Sequence, residues 1–431
     1  MAITRRQFVT RLGALATAVG FSQVEVTKIA DAFAGNSNAY GGTFGKPKVV
    51  WIHGAECTGC STSLLGILED ASGKPFRYDS NATVAGIDTG TALGLAGVTN
   101  ALGGAFPTLT GGLRADGALV NIADVVIDVI DLQYHETVMG PAGDLAAKWL
   151  QDFRDTYSTG SNDPFVLVIE GAMQDARQGG AWGNTGTTPW CSIGVFDDGS
   201  HEQDMPEVVA DLAAMPECAA ILPIGQCACY GGYPGCKPQI SATTAKKGLG
   251  GFDPALSQTG AQGAYDFLSQ YADADPLKAA FVADVNAAAA KVINVPGCPT
   301  NPWWFVLTTV MVMLKLAGTD LIELDAGRRV KRVYPGTVHG AFCPRYPSYT
   351  KGIYALKPGD PGCLQKIGCK GITASSLCGK HGWNNQQPEN AGTLSGLNKN
   401  GVGGHCTVAG YPCMACTEKG YPDAFVPFVK R

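Results

Sequence analysis

Short apolar runs alternate with longer, helix-like stretches along most of this 431-residue chain. The runs are Val49–Ile52, Val125–Ile130, Phe165–Ile169, Ala219–Ile224 and Val292–Val295. They are nearly continuous in Val, Ile and Leu instead of alternating with polar residues, as expected of strands buried on both faces. The pattern predicts an α/β domain built on a parallel sheet, with ligands gathering at the carboxyl ends of its strands. Cysteines follow that rule. Cys57 and Cys60 come after the first run, Cys227 after "ILPIGQ" and Cys298 after "VINVPG", while Glu170 closes the run "FVLVIE". Four thiols far apart in sequence are thus expected on one edge of one sheet.

From about Tyr334 the periodicity fades and Gly, Pro and Cys dominate. Seven cysteines fall between Cys343 and Cys416, together with His339, His381 and His405 in the same region. Such a segment has too little apolar pattern to build its own core and calls for metal as internal scaffold. The expected division is a regular domain over 47–330 and an irregular one over 331–431, preceded by a flexible lead-in at 35–46. Segments 72–122 and 241–275 are Gly/Ala/Ser/Thr-rich and carry no motif. "GTALGLAG" lacks the Gly-Lys-Ser/Thr of a phosphate loop.

Composition narrows the classes. Hydrophobic residues make up 45% and charged residues 16%, which suits a buried core and excludes a disordered chain. The net charge is −5 and no Lys/Arg cluster interleaves with aromatics, so nucleic acid is not an expected partner. At the N-terminus, Thr4-Arg5-Arg6-Gln7-Phe8 matches the twin-arginine export pattern, and Ala32-Phe33-Ala34 offers a cleavage site. Residues 1–34 are therefore expected to be a signal peptide. Its apolar run is too short for a stable span, and "GYPDAFVPFVKR" near the end is not an anchor. A periplasmic protein, soluble or peripherally membrane-associated, is the expectation.

Export with fifteen cysteines would ordinarily suggest disulfides. The odd count, the size of the chain and a route that carries proteins already folded favour metal ligation. Taken alone, the Cys57/Cys60 C-x-x-C fits a disulfide, a thioredoxin-type pair, a zinc half-site or half of an iron–sulfur site. An exported zinc- or disulfide-stabilised binding protein is the alternative from a different class, with Cys57/Cys60 and Cys413/Cys416 as half-sites.

The segments "ECTGCSTSLL", "DVIDLQYHETVM", "VLVIEGA", "IGQCACYGG", "NVPGCPTNP", "GCLQKIGCKG" and "AGYPCMACTE", in this order, resemble the small, iron–sulfur subunit of [NiFe] hydrogenases. The resemblance runs from about Lys46 to Lys430, with segments 72–122 and 383–404 longer than the family's usual. It implies a flavodoxin-like domain followed by a cluster-stabilised C-terminal domain. It also implies a heterodimer in which a large subunit holds the Ni–Fe centre and splits dihydrogen. This chain would carry electrons, during H2 oxidation or evolution, to or from a cytochrome c or a membrane cytochrome b. No residue of this chain would break the H–H bond. An iron–sulfur subunit of a related quinone- or ferredoxin-linked complex is the redox alternative, although it would need only the proximal site.

By motif match, a proximal [4Fe–4S] cluster would be held by Cys57, Cys60, Cys227 and Cys298, on a helix starting near Ser61 whose N-terminus favours an anionic cluster. A distal [4Fe–4S] cluster would use His339, Cys343, Cys363 and Cys369; three residues separate His339 from Cys343, where the family usually has two. A medial cluster would use Cys378, Cys413 and Cys416. Where the family commonly has proline and a [3Fe–4S] cluster, this chain has Cys406, so a medial [4Fe–4S] is expected. Glu56 is a candidate proton relay or a hydrogen-bonding support of the loop. Gly59 and Gly232 occupy the positions where oxygen-tolerant members carry extra cysteines. Cys191, Cys218, Cys229 and Cys236 are expected to pack, and Trp51, Trp303 and Trp304 to serve the core or a partner contact.

Overall fold

Four strands, all parallel, form the central sheet of the computed structural model: β1 (Lys48–His53), β2 (Asp131–His135), β3 (Phe165–Glu170) and β4 (Cys218–Ile224), in the order β2-β1-β3-β4. The described residues are 47–65, 68–69, 120–121, 130–158, 163–175, 190–195, 199, 202–236, 261–316, 320–340, 343–381, 383 and 405–430. The expected signal peptide, the lead-in, and most of segments 72–122, 241–260 and 383–404 lie outside them.

Three of the five expected strands fall where the apolar runs put them. The second lies one step later, at Asp131–His135, and pairs with β1 through Lys48↔Asp131 and Trp51↔His135. Of the expected run only Ile130 is described, and it is buried. The fifth run does not form a full strand. Val292–Val295 lies beside β4 through the parallel bridges Ile221↔Val292 and Ile224↔Val295. Ile293 N–H donates to Ile221 O and Val295 N–H to Pro223 O, both at 2.9 Å, but Pro223 has no N–H to return a bond.

Both faces of the sheet are covered, which is why the strands read as unbroken apolar runs. Val49, Trp51, Val166, Val168 and Leu222 face the helix Pro302–Leu316, which is apolar nearly all round and buried with them. Val50, Ile52, Leu167, Ile169 and Ile221 face the helices Asp144–Ser158, Met205–Ala214, Ala264–Ser269 and Ala279–Ala288. Trp51 and Trp304 are core residues; the Trp303 side chain lies outside the described residues.

Beyond Tyr334 regular structure is sparse: one turn of helix at Tyr346–Thr350, another at Cys378–His381, and 3-10 turns at Leu364–Ile367 and Asp423–Phe425. Among the described residues its apolar clusters are small, one around Val338, Ala374 and Ala415, another around Ala355, Leu364 and Ile367. Polar side chains fasten this region to the sheet domain. Arg329, nearly buried, donates to Glu418 Oε1 at 2.7 Å and Thr417 O at 2.9 Å, and Gln226 Nε2 donates to Glu418 O at 2.8 Å.

Candidate metal centres

The carboxyl edge of the sheet collects the residues expected there. Cys57 and Cys60 leave β1, Cys60 inside the short helix Gly59–Leu65. Cys227 lies in the helix Gly225–Tyr230 directly after β4, and Cys298 follows the Val292–Val295 segment. Burial pushes Cys60, Cys227 and Cys298 upward in pKa, Cys227 to about 12 and Cys298 to about 11. The neighbouring thiols add to the shift: Cys227 and Cys298 act on Cys60, and Cys57 on both Cys227 and Cys298. The backbone is fitted around these sulfurs. Gly225 has φ of +77°, and a Cβ there would collide with Cys60 Sγ. A Cβ at Gly59 would lie 3.0 Å from Cys57 Sγ, and one at Gly232 2.9 Å from Cys227 Sγ.

Glu170 turns out to organise this loop. Its carboxylate accepts from Cys60 N at 2.9 Å, Ser61 N at 3.1 Å, Ser61 Oγ and Trp51 Nε1 at 3.2 Å. The first amides of the Gly59–Leu65 helix are therefore spent on Glu170, which corrects the expectation that they would face a cluster. The nearby polar groups form one buried network. His135 Nε2 lies 3.2 Å from Ser61 Oγ, and the His53 and His135 rings are 4.9 Å apart. Burial and the neighbouring His53 hold the His135 pKa down at about 3, so its imidazole is neutral. Glu56 Oε1 lies 3.1 Å from His53 Nδ1 and accepts from Thr58 Oγ1 at 3.0 Å. Its Oε2 is buried with no partner among the described residues. Oxygen and nitrogen atoms of His53, Glu56 and Glu170 come within 4.8 Å of one another, close enough for a single ion. Glu170 already accepts from four donors, which marks it as a support of the loop.

In the C-terminal region a cavity with about 340 Å³ of atom-free space, partly open to solvent, is lined by His339, Cys343, Cys363 and Cys369. The extra residue between His339 and Cys343 thus does not keep the histidine away; residues 341–342 themselves lie outside the described set. The His339 ring stands edge-on to Tyr346 and Tyr349, with centroids 5.0 and 4.5 Å away. Arg345 also lines the cavity and is buried. Its guanidinium donates to the carbonyls of Thr407, Asp360 and Gly362, and Nη2 has no partner among the described residues. The titratable groups that act on it are the thiols of Cys343, Cys363 and Cys369, neutral until a metal takes them as thiolates. A buried cation without a carboxylate is costly, so the cavity is built for something negative.

Between these two sites lies the third group. Burial raises Cys378 to about 12, with Cys406 adding to the shift; Cys416 is raised well above the ordinary thiol value by burial, then by Cys378 and Cys406. Cys413 is raised by burial and by Cys369, Cys406 and Cys416. Cys406 is therefore among the other three thiols. Neighbouring groups are close: Cys413 N donates to Cys369 Sγ at 3.2 Å, and Cys298 is among the thiols that act electrostatically on Cys416.

All fifteen cysteines are free thiols, which overturns the disulfide-scaffold alternative. Cys218 and Cys229 are buried and donate to the carbonyls of Ala220 and Pro223, and Cys191 donates to His53 O, as expected of packing thiols. Sequence alone did not reveal His53, His135, Ser61 or Arg345. The two histidines end β1 and β2, so the strand-end rule that found Glu170 could have found them.

Known proteins match along the same lines. Residues 116–312 match the family described as NADH ubiquinone oxidoreductase, 20 Kd subunit, and residues 334–429 match the C-terminal family of the NiFe/NiFeSe hydrogenase small subunit. The periplasmic [NiFeSe] hydrogenase small subunit of Desulfomicrobium baculatum is 26% identical, over 99% of each chain. The F420 non-reducing hydrogenase II small subunit of Methanosarcina mazei is 28% identical, over 98% of this chain and 83% of that one. Among solved structures, the reduced, active Ni-Fe-Se hydrogenase of D. baculatum superposes with a TM-score of 0.55 at 26% identity, covering 89% of this chain and 98% of that one. The actinobacterial-type NiFe-hydrogenase of Ralstonia eutropha H16 gives 0.56 at 25% identity, covering 90% and 83%.

Proposed function

The chain belongs to the small subunits of NiFe/NiFeSe hydrogenases, and we propose that it relays electrons between a large subunit's Ni–Fe centre and an external acceptor through three sites in a row. Hydrogenase small subunits pair with a large subunit, so the working unit is a heterodimer. The proximal site is Cys57, Cys60, Cys227 and Cys298, within a domain spanning 47–330. The medial site is Cys378, Cys406, Cys413 and Cys416, and the distal site His339, Cys343, Cys363 and Cys369, within 331–431. When bound, an iron–sulfur cluster at each site supplies a one-electron carrier.

One observation carries this reading: three groups of ligand-type side chains succeed one another, with Cys298 acting electrostatically on Cys416 and Cys413 N–H bonded to Cys369 Sγ. The residues fit the groups they would hold. Among the described residues, His53, Glu56 and Glu170 are the set close enough for a single ion, and no trio of cysteine sulfurs lies within 4.8 Å. Tetrahedral zinc with Zn–S near ~2.3 Å needs sulfurs closer than that, whereas a multi-iron cluster needs them further apart. Glu170 fixes the Cys60 loop, and Arg345 supplies the positive charge that thiolates at the distal site would balance. Glu56, half-buried beside Cys57 with its Oε2 covered, is placed to hold a proton near the edge from which the relay starts.

The relatives named periplasmic agree with export by the twin-arginine route, and an acceptor of the cytochrome c or membrane cytochrome b kind follows from that location. No helix among the described residues is long and apolar enough to cross a membrane. The quinone-linked alternative is disfavoured because the medial and distal residues fall within the hydrogenase-type C-terminal match. Purification of the native heterodimer tests the proposal. It should be brown, contain nickel and about twelve irons on the ligation assumed here, and reduce a dye under hydrogen. A colourless protein containing only zinc would end the proposal.

A further inference from the structure

Charge is unevenly distributed along the chain. Residues 331–431 carry twelve Lys or Arg and four Asp or Glu, while residues 1–330 carry 20 and 33. The overall −5 therefore conceals a strongly basic C-terminal part. Two of its lysines pair with acids of the sheet domain, Lys331 with Glu323 and Lys419 with Asp266; five others lie on the segments that carry the distal residues. Lys366 lies in the 3-10 turn between Cys363 and Cys369, with its ammonium 4.3 Å from the centre of the Tyr354 ring. The Tyr354 ring neighbours Tyr349, which contacts His339. Lys370 follows Cys369 directly, and its ammonium caps Gly368 O at 2.7 Å and Pro427 O at 3.2 Å. Lys430 is near enough to repel it and is held by its own amide on Ile367 O. Lys351 and Lys357 bracket the segment whose Ile353 and Ala355 bond to both sides of the Cys363 backbone.

Among the described residues none of these five lysines makes an ion pair with an acid. Asp360, the nearest acid in sequence, accepts from the amides of Leu356 and Lys357. Between the lysines, apolar side chains reach into solvent: Leu356 is 83% exposed, Ile353 52% and Ile372, which lines the distal cavity, 49%. A merely solvated face would not need these, whereas charges ringing an apolar centre are the make-up of a transient protein interface.

We propose that the rim of the distal site is the docking surface for a one-electron carrier protein whose own docking face is acidic. This rests on the distal site being the electron exit. At physiological ionic strength the Debye length is about 8 Å, so an approaching protein is steered by the lysines at the mouth more than by the acidic remainder of the chain. An anionic membrane would also be attracted, but a lipid cannot take the electron, and the turn that carries Lys366 lines, with His339, the partly open cavity. The balance is simple: each dihydrogen split on the large subunit yields two protons and two electrons, and two oxidised carriers are each reduced by one electron.

The test uses the purified heterodimer and two probes, an acidic [2Fe–2S] ferredoxin and a lysine-rich c-type cytochrome. Binding of each oxidised probe is measured without hydrogen, and then hydrogen-driven reduction of each is expressed relative to reduction of a neutral dye. The ferredoxin should bind at least tenfold tighter than the cytochrome, and its affinity should fall at least tenfold between 20 and 200 mM salt, about the effect expected of several exposed charges. The combined K351E/K357E/K366E/K430E variant should reverse the preference between probes. The milder K351Q/K366Q pair, which risks folding less, should weaken ferredoxin severalfold. Preference for the cytochrome, or ferredoxin binding indifferent to salt and to both variants, overturns the proposal. So does lysine-dependent capture by phosphatidylglycerol vesicles without ferredoxin binding. Loss of dye reduction and iron in the unmodified heterodimer would instead defeat the relay itself.

Discussion

Replacing Glu170 tests the support of the proximal loop most directly. Its carboxylate is the shared acceptor for Cys60 N–H, Ser61 N–H and Trp51 Nε1–H, all buried. Ser61 Oγ has a second neighbour in His135 Nε2 at 3.2 Å, so Glu170→Ala leaves three donors without a partner. At roughly 1–3 kcal/mol for each orphaned buried donor, the gross cost is roughly 3–9 kcal/mol. Two effects reduce it. Burial raises the Glu170 pKa, so the carboxylate is itself costly there, and water can enter the space it leaves. The lower end, about 3 kcal/mol, corresponds to roughly 150-fold faster opening of the loop. Hydrogen–deuterium exchange of the heterodimer, read on peptides covering residues 56–64, measures this. Glu170→Gln keeps an oxygen for the two amides but turns an N–H₂ toward Trp51 and Ser61, so its effect should be intermediate. If exchange at Cys60 and Ser61 in the alanine variant stays within threefold of the unmodified protein, Glu170 does not hold the loop.

Other expectations follow from the same structure. Cys406→Ser should give a strong three-iron EPR signal in the oxidised enzyme that the unmodified protein lacks; the same signal in both would mean that Cys406 is a bystander. Arg345→Met should lower the distal potential in an EPR-monitored titration, since about 1 kcal/mol or more of stabilisation of the reduced, more negative state is lost at an effective dielectric near ~20. Removing iron with a chelator should melt residues 334–430 before the sheet domain, seen as exchange protection lost there first, because their described apolar clusters are so small. Gly225→Ala should lose iron on purification, since its Cβ would meet Cys60 Sγ in a left-handed backbone.

The apolar runs made the sheet legible because its strands are buried on both faces. Where burial is one-sided, the signal weakened: "DLQYH" has three partly exposed residues at its start and reads as polar, although it is the edge strand beside β1. Val292–Val295 failed for a local reason, the missing N–H of Pro223. Cysteine positions at strand ends were readable because topology fixes where those ends meet. In the C-terminal region no such rule exists; there the three-dimensional grouping of Cys378, Cys406, Cys413 and Cys416 came only from resemblance, and the structure had to bring them together. Partners from other elements escaped entirely. Nothing around Arg345 in sequence tells that its guanidinium is buried against three thiols, and nothing near Cys60 names Glu170 as its acceptor.

The order of the three groups has a physical basis in their junctions. At the junction of the medial and distal groups a backbone amide of one donates to a sulfur of the other, Cys413 N–H to Cys369 Sγ at 3.2 Å. Such bonds favour the state with more negative charge on sulfur and so raise the potential of the site that accepts them. Cys369 accepts, so a cluster at the distal site would gain where the medial site gives. At the distal site Arg345 and a neutral histidine act in the same direction. At the medial site a fourth thiolate from Cys406 would pull the potential down. With clusters bound, the step from the medial to the distal site would therefore be downhill for the electron.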